Sequence, residues 1–208
     1  MLLLISGTML SGTSCSEATD QQPEKKGHTA EEFKRFWFQG FAEISRFELE
    51  QARYGEIHKG DAVLIYVTEE FLIDKQVKSD QGKMPGAVSV LKLNFNRKFN
   101  TGIYPYSIMS SIFTSVNRQS HPQSLKVTTS IQEWCGHTFT QLNFRENKYH
   151  VLLRSYFMDE ADQHYFIEPV QLEDDIWTWI RIDPSSLPRG DIRLIPGSQF
   201  SRLKHIKQ

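Results

Sequence analysis

Residues 88–99 alternate more cleanly than any other stretch of this chain. Leu91, Leu93, Phe95 and Phe99 fall on one side, and Lys92, Asn94, Asn96 and Lys98 on the other. That period of two belongs to a strand with one face buried and one in water. A strand of this kind cannot stand alone, because its two backbone edges need partners.

The flanking sequence supplies them. Residues 42–51 (AEISRFELEQ) alternate imperfectly, and residues 62–71 (AVLIYVTEEF) are rich in β-branched side chains. Tyr54-Gly55 and Lys59-Gly60-Asp61 carry turn chemistry between them, so the two runs read as a hairpin. Asn100-Thr101-Gly102 turns the central strand back into residues 103–116, where Pro105 argues for an edge or a bend. Further strands are expected over residues 125–133, 138–144, 150–156 and 176–182 (IWTWIRI). Residues 183–190 (DPSSLPRG) read as a loop, after which 191–195 pair back.

Some eight short strands at this spacing predict a mainly β fold: an antiparallel sheet, a barrel or a curved half-barrel. The 14 phenylalanines fit sheet faces. The one expected helix is short. Thr29 and Glu32 make a capping-box pattern, Phe33, Phe36 and Trp37 form an apolar stripe, and Gly40 closes it. No internal repeat or second domain boundary interrupts residues 30–208. Residues 200–208 (FSRLKHIKQ) read like the middle of an element, as in a shortened member of a longer family with an uncovered sheet edge.

The N-terminus reads as an address. Residues 2–10 are apolar or small and lead through Gly12, Thr13 and Ser14 into Cys15. The run is too short to span a bilayer, which takes about 20 residues. It has the size of a secretory h-region and resembles a bacterial lipobox, although no Lys or Arg precedes it. The expectation is a signal peptide over residues 1–14, lipidation of Cys15, a polar tether to residue 29, and anchoring to a bacterial membrane, the outer rather than the inner. With 24 Lys and Arg against 25 Asp and Glu, no basic field points to nucleic acid.

Cys15 and Cys135 are the two cysteines. If lipid consumes Cys15, Cys135 remains as a single thiol. No CxxC pair, HxxxH or HExxH pair, GxSxG elbow or Gly-rich phosphate loop occurs, so no metal or other cofactor is expected.

The densest polar segment is Gln132-Glu133-Trp134-Cys135-Gly136-His137. If it stays extended, Glu133, Cys135 and His137 project to one face. They would then be the material of an activated thiol: Cys135 as nucleophile, His137 as base, Glu133 as its orienter. Against this, neighbours two apart on a strand are separated by roughly 6.5–7 Å, and a free cysteine commonly serves as a small buried hydrophobe. Tyr104-Pro105-Tyr106 offers aromatic faces to a ligand or forms a packed corner. Trp177 and Trp179 would share a strand face.

Four segments carry a family resemblance: residues 36–71 (FWFQGFAEISRFELEQARYGEIHKGDAVLIYVTEEF), 91–109 (LKLNFNRKFNTGIYPYSIM), 125–143 (LKVTTSIQEWCGHTFTQLN) and 186–197 (SLPRGDIRLIPG). Together they resemble a family of bacterial proteins commonly labelled "septum formation inhibitor Maf", and QEWCGH is the most distinctive block. The resemblance implies no particular activity. Maf nucleotide pyrophosphatases proper are α/β enzymes with an N-terminal SxSPRR-type motif, which is absent from this chain.

Three functions follow in order of expectation. The first is a lipid-anchored, non-enzymatic binding or structural module for an apolar ligand or an envelope protein. The second is a cysteine-dependent hydrolase or transferase built on Cys135. The third is the nucleoside triphosphate pyrophosphatase of the family label. By fold-level analogy the first looks like the half-barrel lipoproteins that hold acyl chains or other apolar ligands. A deep apolar concavity would support that analogy, and a fully packed interior would remove it.

Overall fold

The computed structural model describes residues 30–199. Helix α1 (Ala30–Trp37) leads into β1 (Glu43–Arg53), β2 (Glu56–Leu72), the short β3 (Val77–Lys78), β4 (Ala87–Thr101), β5 (Tyr104–Ser115), β6 (Lys126–Glu133), β7 (Gly136–Arg145), β8 (Lys148–Ser155) and β9 (Gln163–Ile167). These strands form one antiparallel meander in the order β1-β2-β4-β5-β6-β7-β8-β9, with β3 paired to β2. The sheet is mainly β and open: β1 and β9 end it, and it does not close into a barrel. No strand–helix–strand crossover joins parallel neighbours in it, so among the described residues the alternating architecture of a nucleotide pyrophosphatase is missing.

The alternation of residues 88–99 has its counterpart across the sheet. Tyr66, Leu93, Ile112, Val127, Leu142 and Val151 stand opposite one another on six successive strands. All six are buried in one cluster, beneath Phe33 and Trp37 of α1 and Ile182. Each such side chain contributes about 1.5–3 kcal/mol by leaving water, so this row is the fold's main stabilising seam. Lys92, Asn94 and Lys98 point to the other face, as their spacing predicts.

Turn chemistry explains most connections. Tyr54 and Gly55 both have positive φ, at 54° and 80°, as a two-residue hairpin turn requires. Gly102 at φ 60° does the same between β4 and β5. Gly60, by contrast, lies inside β2. A Cβ there would stand 2.0 Å from the carbonyl oxygen of Lys98, so glycine is needed for close backbone approach rather than for a turn. Pro105 pairs with Asn100, and the pairing of β5 with β6 begins only at Ser107, so the proline sits where β5 is locally an edge.

Two expectations for the C-terminal part are corrected. Residues 176–182 form helix α2 (Ile176–Ile182), not a strand, with Thr178 and Ile182 buried one turn apart. Trp177 and Trp179 therefore do not share a strand face. Residues 194–195 form β11 (Leu194–Ile195), which pairs in parallel with β10 (Gln171–Leu172) rather than with 176–182. The expectations for Cys15, the signal peptide, the tether and residues 200–208 lie outside the described residues.

Candidate functional site

The QEWCGH segment does not stay extended. Glu133 pairs with Gly136 and Gln132 with His137, so Trp134 and Cys135 form a two-residue turn between β6 and β7. This overturns the shared face of Glu133, Cys135 and His137. Glu133 follows Thr129 and Ile131 to the inner side and is buried. His137 lies on the outer side, its Nε2 2.9 Å from the Ser130 hydroxyl. Cys135 is an exposed free thiol at the tip. Gly136 is explained by packing: a Cβ there would meet the Phe157 ring at 2.7 Å.

Glu133 has other work. It accepts from the Tyr106 hydroxyl, which also lies 3.1 Å from the Tyr54 hydroxyl. Arg53 donates to Tyr54 at 3.2 Å and stacks its guanidinium 4.4 Å from that ring. Burial and the nearby carboxylate push the Tyr106 phenol far up, so it is a fixed donor at neutral pH. The group closes the inner face at the hairpin-tip end of the sheet.

Next to the apolar row the inner face turns polar. Ser110 and Thr129 face each other at 2.9 Å, Ser198 stands 2.5 Å from Thr129, and Arg97 donates to Ser110 at 3.4 Å. Ser198 also donates its backbone N–H to Asp174 at 2.9 Å. Burial lowers the Arg97 pKa to about 10 and raises that of Asp174, while each charge partly restores the other. The C-terminal segment is docked over the sheet here, and the interior is filled. A deep apolar concavity is therefore not found among the described residues.

A second buried group lies under α2, and sequence reasoning missed it. Asp175 is fully buried, accepts from Gln171 at 2.8 Å, and has its pKa raised to about 7 by desolvation, with Ser124 and Arg118 pulling the other way. Thr178 donates to the Asp175 carbonyl oxygen at 2.8 Å and meets Thr114 at 2.7 Å. These bonds tie the start of α2 to the sheet and to Gln171. Among the described residues no cluster of His, Cys, Asp and Glu could hold a metal ion.

One cleft, of about 540 Å³, lies between the helices. It is lined by the apolar Phe33, Phe36, Trp37 and Ile180 and by the charged Glu32, Arg35, Glu43 and Arg181. Its base is fixed, because Arg181 pairs with Glu43 at 2.8 Å and stacks 4.4 Å from the Tyr66 ring. No family model, no curated protein and no solved structure matches this chain.

Proposed function

We propose that this protein is a lipid-anchored binding or structural module of the bacterial cell envelope, not a catalyst. The observation that carries this reading is the cleft between α1 and α2. Phe36 is largely exposed there beside Trp37 and Ile180, and Arg35 and Arg181 border the apolar residues together with Glu32 and Glu43, the last paired with Arg181. Exposed apolar residues inside a charge-balanced border suit a single apolar chain, or the apolar side chain of an envelope protein. The anchor rests on the Cys15 pattern.

The test uses the full chain with Cys15→Ser and a fluorescent fatty acid as probe. Saturable binding that Phe36→Ser and Ile180→Ser weaken roughly tenfold each supports the cleft. Probe uptake that never saturates removes it. Incorporation of labelled palmitate into the wild type but not into Cys15→Ser tests the anchor separately.

The cysteine-dependent reading has the exposed Cys135 thiol in its favour. It lacks an assembled base, since Glu133 and His137 are committed to opposite faces of the sheet.

A further inference from the structure

The meander brings four chain reversals to the end of the sheet away from α1: Tyr54-Gly55, Gly102-Ile103, Trp134-Cys135 and the segment after β8. Their apolar side chains are left in water. Ile103 is 76 % exposed, Trp134 65 %, Tyr156 77 % and Met158 90 %. These tips are contiguous. The Tyr104 and Trp134 rings meet edge to face at 5.6 Å, and Tyr156 and Phe157 lie against Gly136 at the base of the same hairpin.

From this we infer that the tips dip into the interface of a zwitterionic lipid bilayer, as a second membrane contact distinct from the Cys15 anchor. Two observations select a bilayer over a protein, and a third sets the charge of its lipid. The tips project from separate turns rather than lining a groove, so they suit a fluid apolar phase more than a shaped partner. Trp, Tyr, Ile and Met together match the headgroup–acyl boundary, where amphipathic rings settle. The ionised groups beside them are mostly acidic, with Glu56, Asp159 and Glu160 outnumbering Arg154, which pairs with Asp162 at 3.5 Å. No anionic lipid is called for.

The reach of the chain agrees, a point that rests on the anchored reading. The 14 residues between Cys15 and Ala30 extend to about 50 Å at most, similar to the roughly 50 Å length of the 15-residue β4. An anchor attached through α1 can therefore share one membrane with tips at the far end of the sheet.

The experiment removes the anchor. In the full chain with Cys15→Ser, Cys135 is the only cysteine and sits at a tip, so it carries a polarity-sensitive fluorophore. With phosphatidylcholine vesicles the expected result is a blue shift, quenching by a nitroxide high in the acyl chain, and sedimentation of the unlabelled protein with the vesicles. Ile103→Ser with Trp134→Ser should lower the partition coefficient roughly a hundredfold, about tenfold per side chain, with an unchanged circular dichroism spectrum. An unshifted probe, binding untouched by the double substitution, or binding confined to anionic vesicles and lost in high salt would each overturn the inference. Cleft and anchor are tested by other residues, so their failure and this one are distinguishable.

Discussion

The hydroxyl of Thr178 lies 2.7 Å from that of Thr114, and Thr114 in turn lies 2.7 Å from Ser124. All three side chains are fully buried. This chain of hydroxyls joins α2 to the centre of the sheet and to the loop after β5. Buried hydroxyls without partners cost about 1–3 kcal/mol, so the set holds only when α2 is in register.

Thr178→Val keeps the volume but removes the link to Thr114 and the bond to the Asp175 carbonyl. It should lower stability by about 1–2 kcal/mol in urea denaturation. Combining it with Thr114→Val should cost less than the two single changes added, by about 1 kcal/mol. Strict additivity would mean that the two hydroxyls are not coupled.

Asp175 gives the fold a pH dependence of unusual sign. Its carboxyl titrates near 7 when folded, against 3.8 as the ordinary value. Between those values the native state binds the extra proton, so stability falls as pH rises through this window. The slope is at most about 1.4 kcal/mol per pH unit, and it vanishes below the lower value. Burial raises Asp174 as well, adding in the same direction. Urea midpoints should therefore be higher at pH 5 than at pH 7.5, and Asp175→Asn should flatten the difference. A midpoint that climbs across this range would contradict the protonated, buried state.

Gly60 offers a backbone test. An alanine Cβ at this position meets the Lys98 carbonyl oxygen at 2.0 Å and the Phe99 Cβ at 2.8 Å. Neither is the far end of a flexible chain, so β2 and β4 must separate. Gly60→Ala should cost about 3 kcal/mol or more. Gly82→Ala, in an exposed turn with nothing near the new methyl, should cost far less despite its φ of 69°. Equal thermal shifts for the two variants would refute the close approach.

Strands are legible where apolar and polar residues alternate, as over residues 91–99 of β4, because one face is then buried and the other at least partly exposed. Residues 176–182 misled because a short run of Ile and Trp suits a strand equally well. The signal for a helix lay just upstream, in Glu173, Asp174 and Asp175, three acids placed where a helix start favours them. β9 carries no such signal, since most of its residues are exposed and no alternation marks them. In the QEWCGH segment the turn falls on Trp134 and Cys135, which carry none of the Gly, Asn or Asp cues of a hairpin. An extended segment would put Glu133 and His137 on one face, and the register divides them.

The same division predicts how Cys135 reacts. Its exposure alone lets an alkylating reagent reach it in the folded protein, so rapid labelling would not by itself mark a catalytic thiol. A neighbouring base would raise the rate by stabilising the thiolate, and removing that base would lower it by an order of magnitude or so. Here His137 bonds to Ser130 on the outer face and Glu133 to Tyr106 on the inner. Iodoacetamide should therefore modify Cys135 within about threefold of the rate in denaturant, and His137→Ala and Glu133→Gln should leave that rate unchanged within about twofold. Folded-state labelling that drops tenfold or more in His137→Ala would return the hydrolase reading to the front.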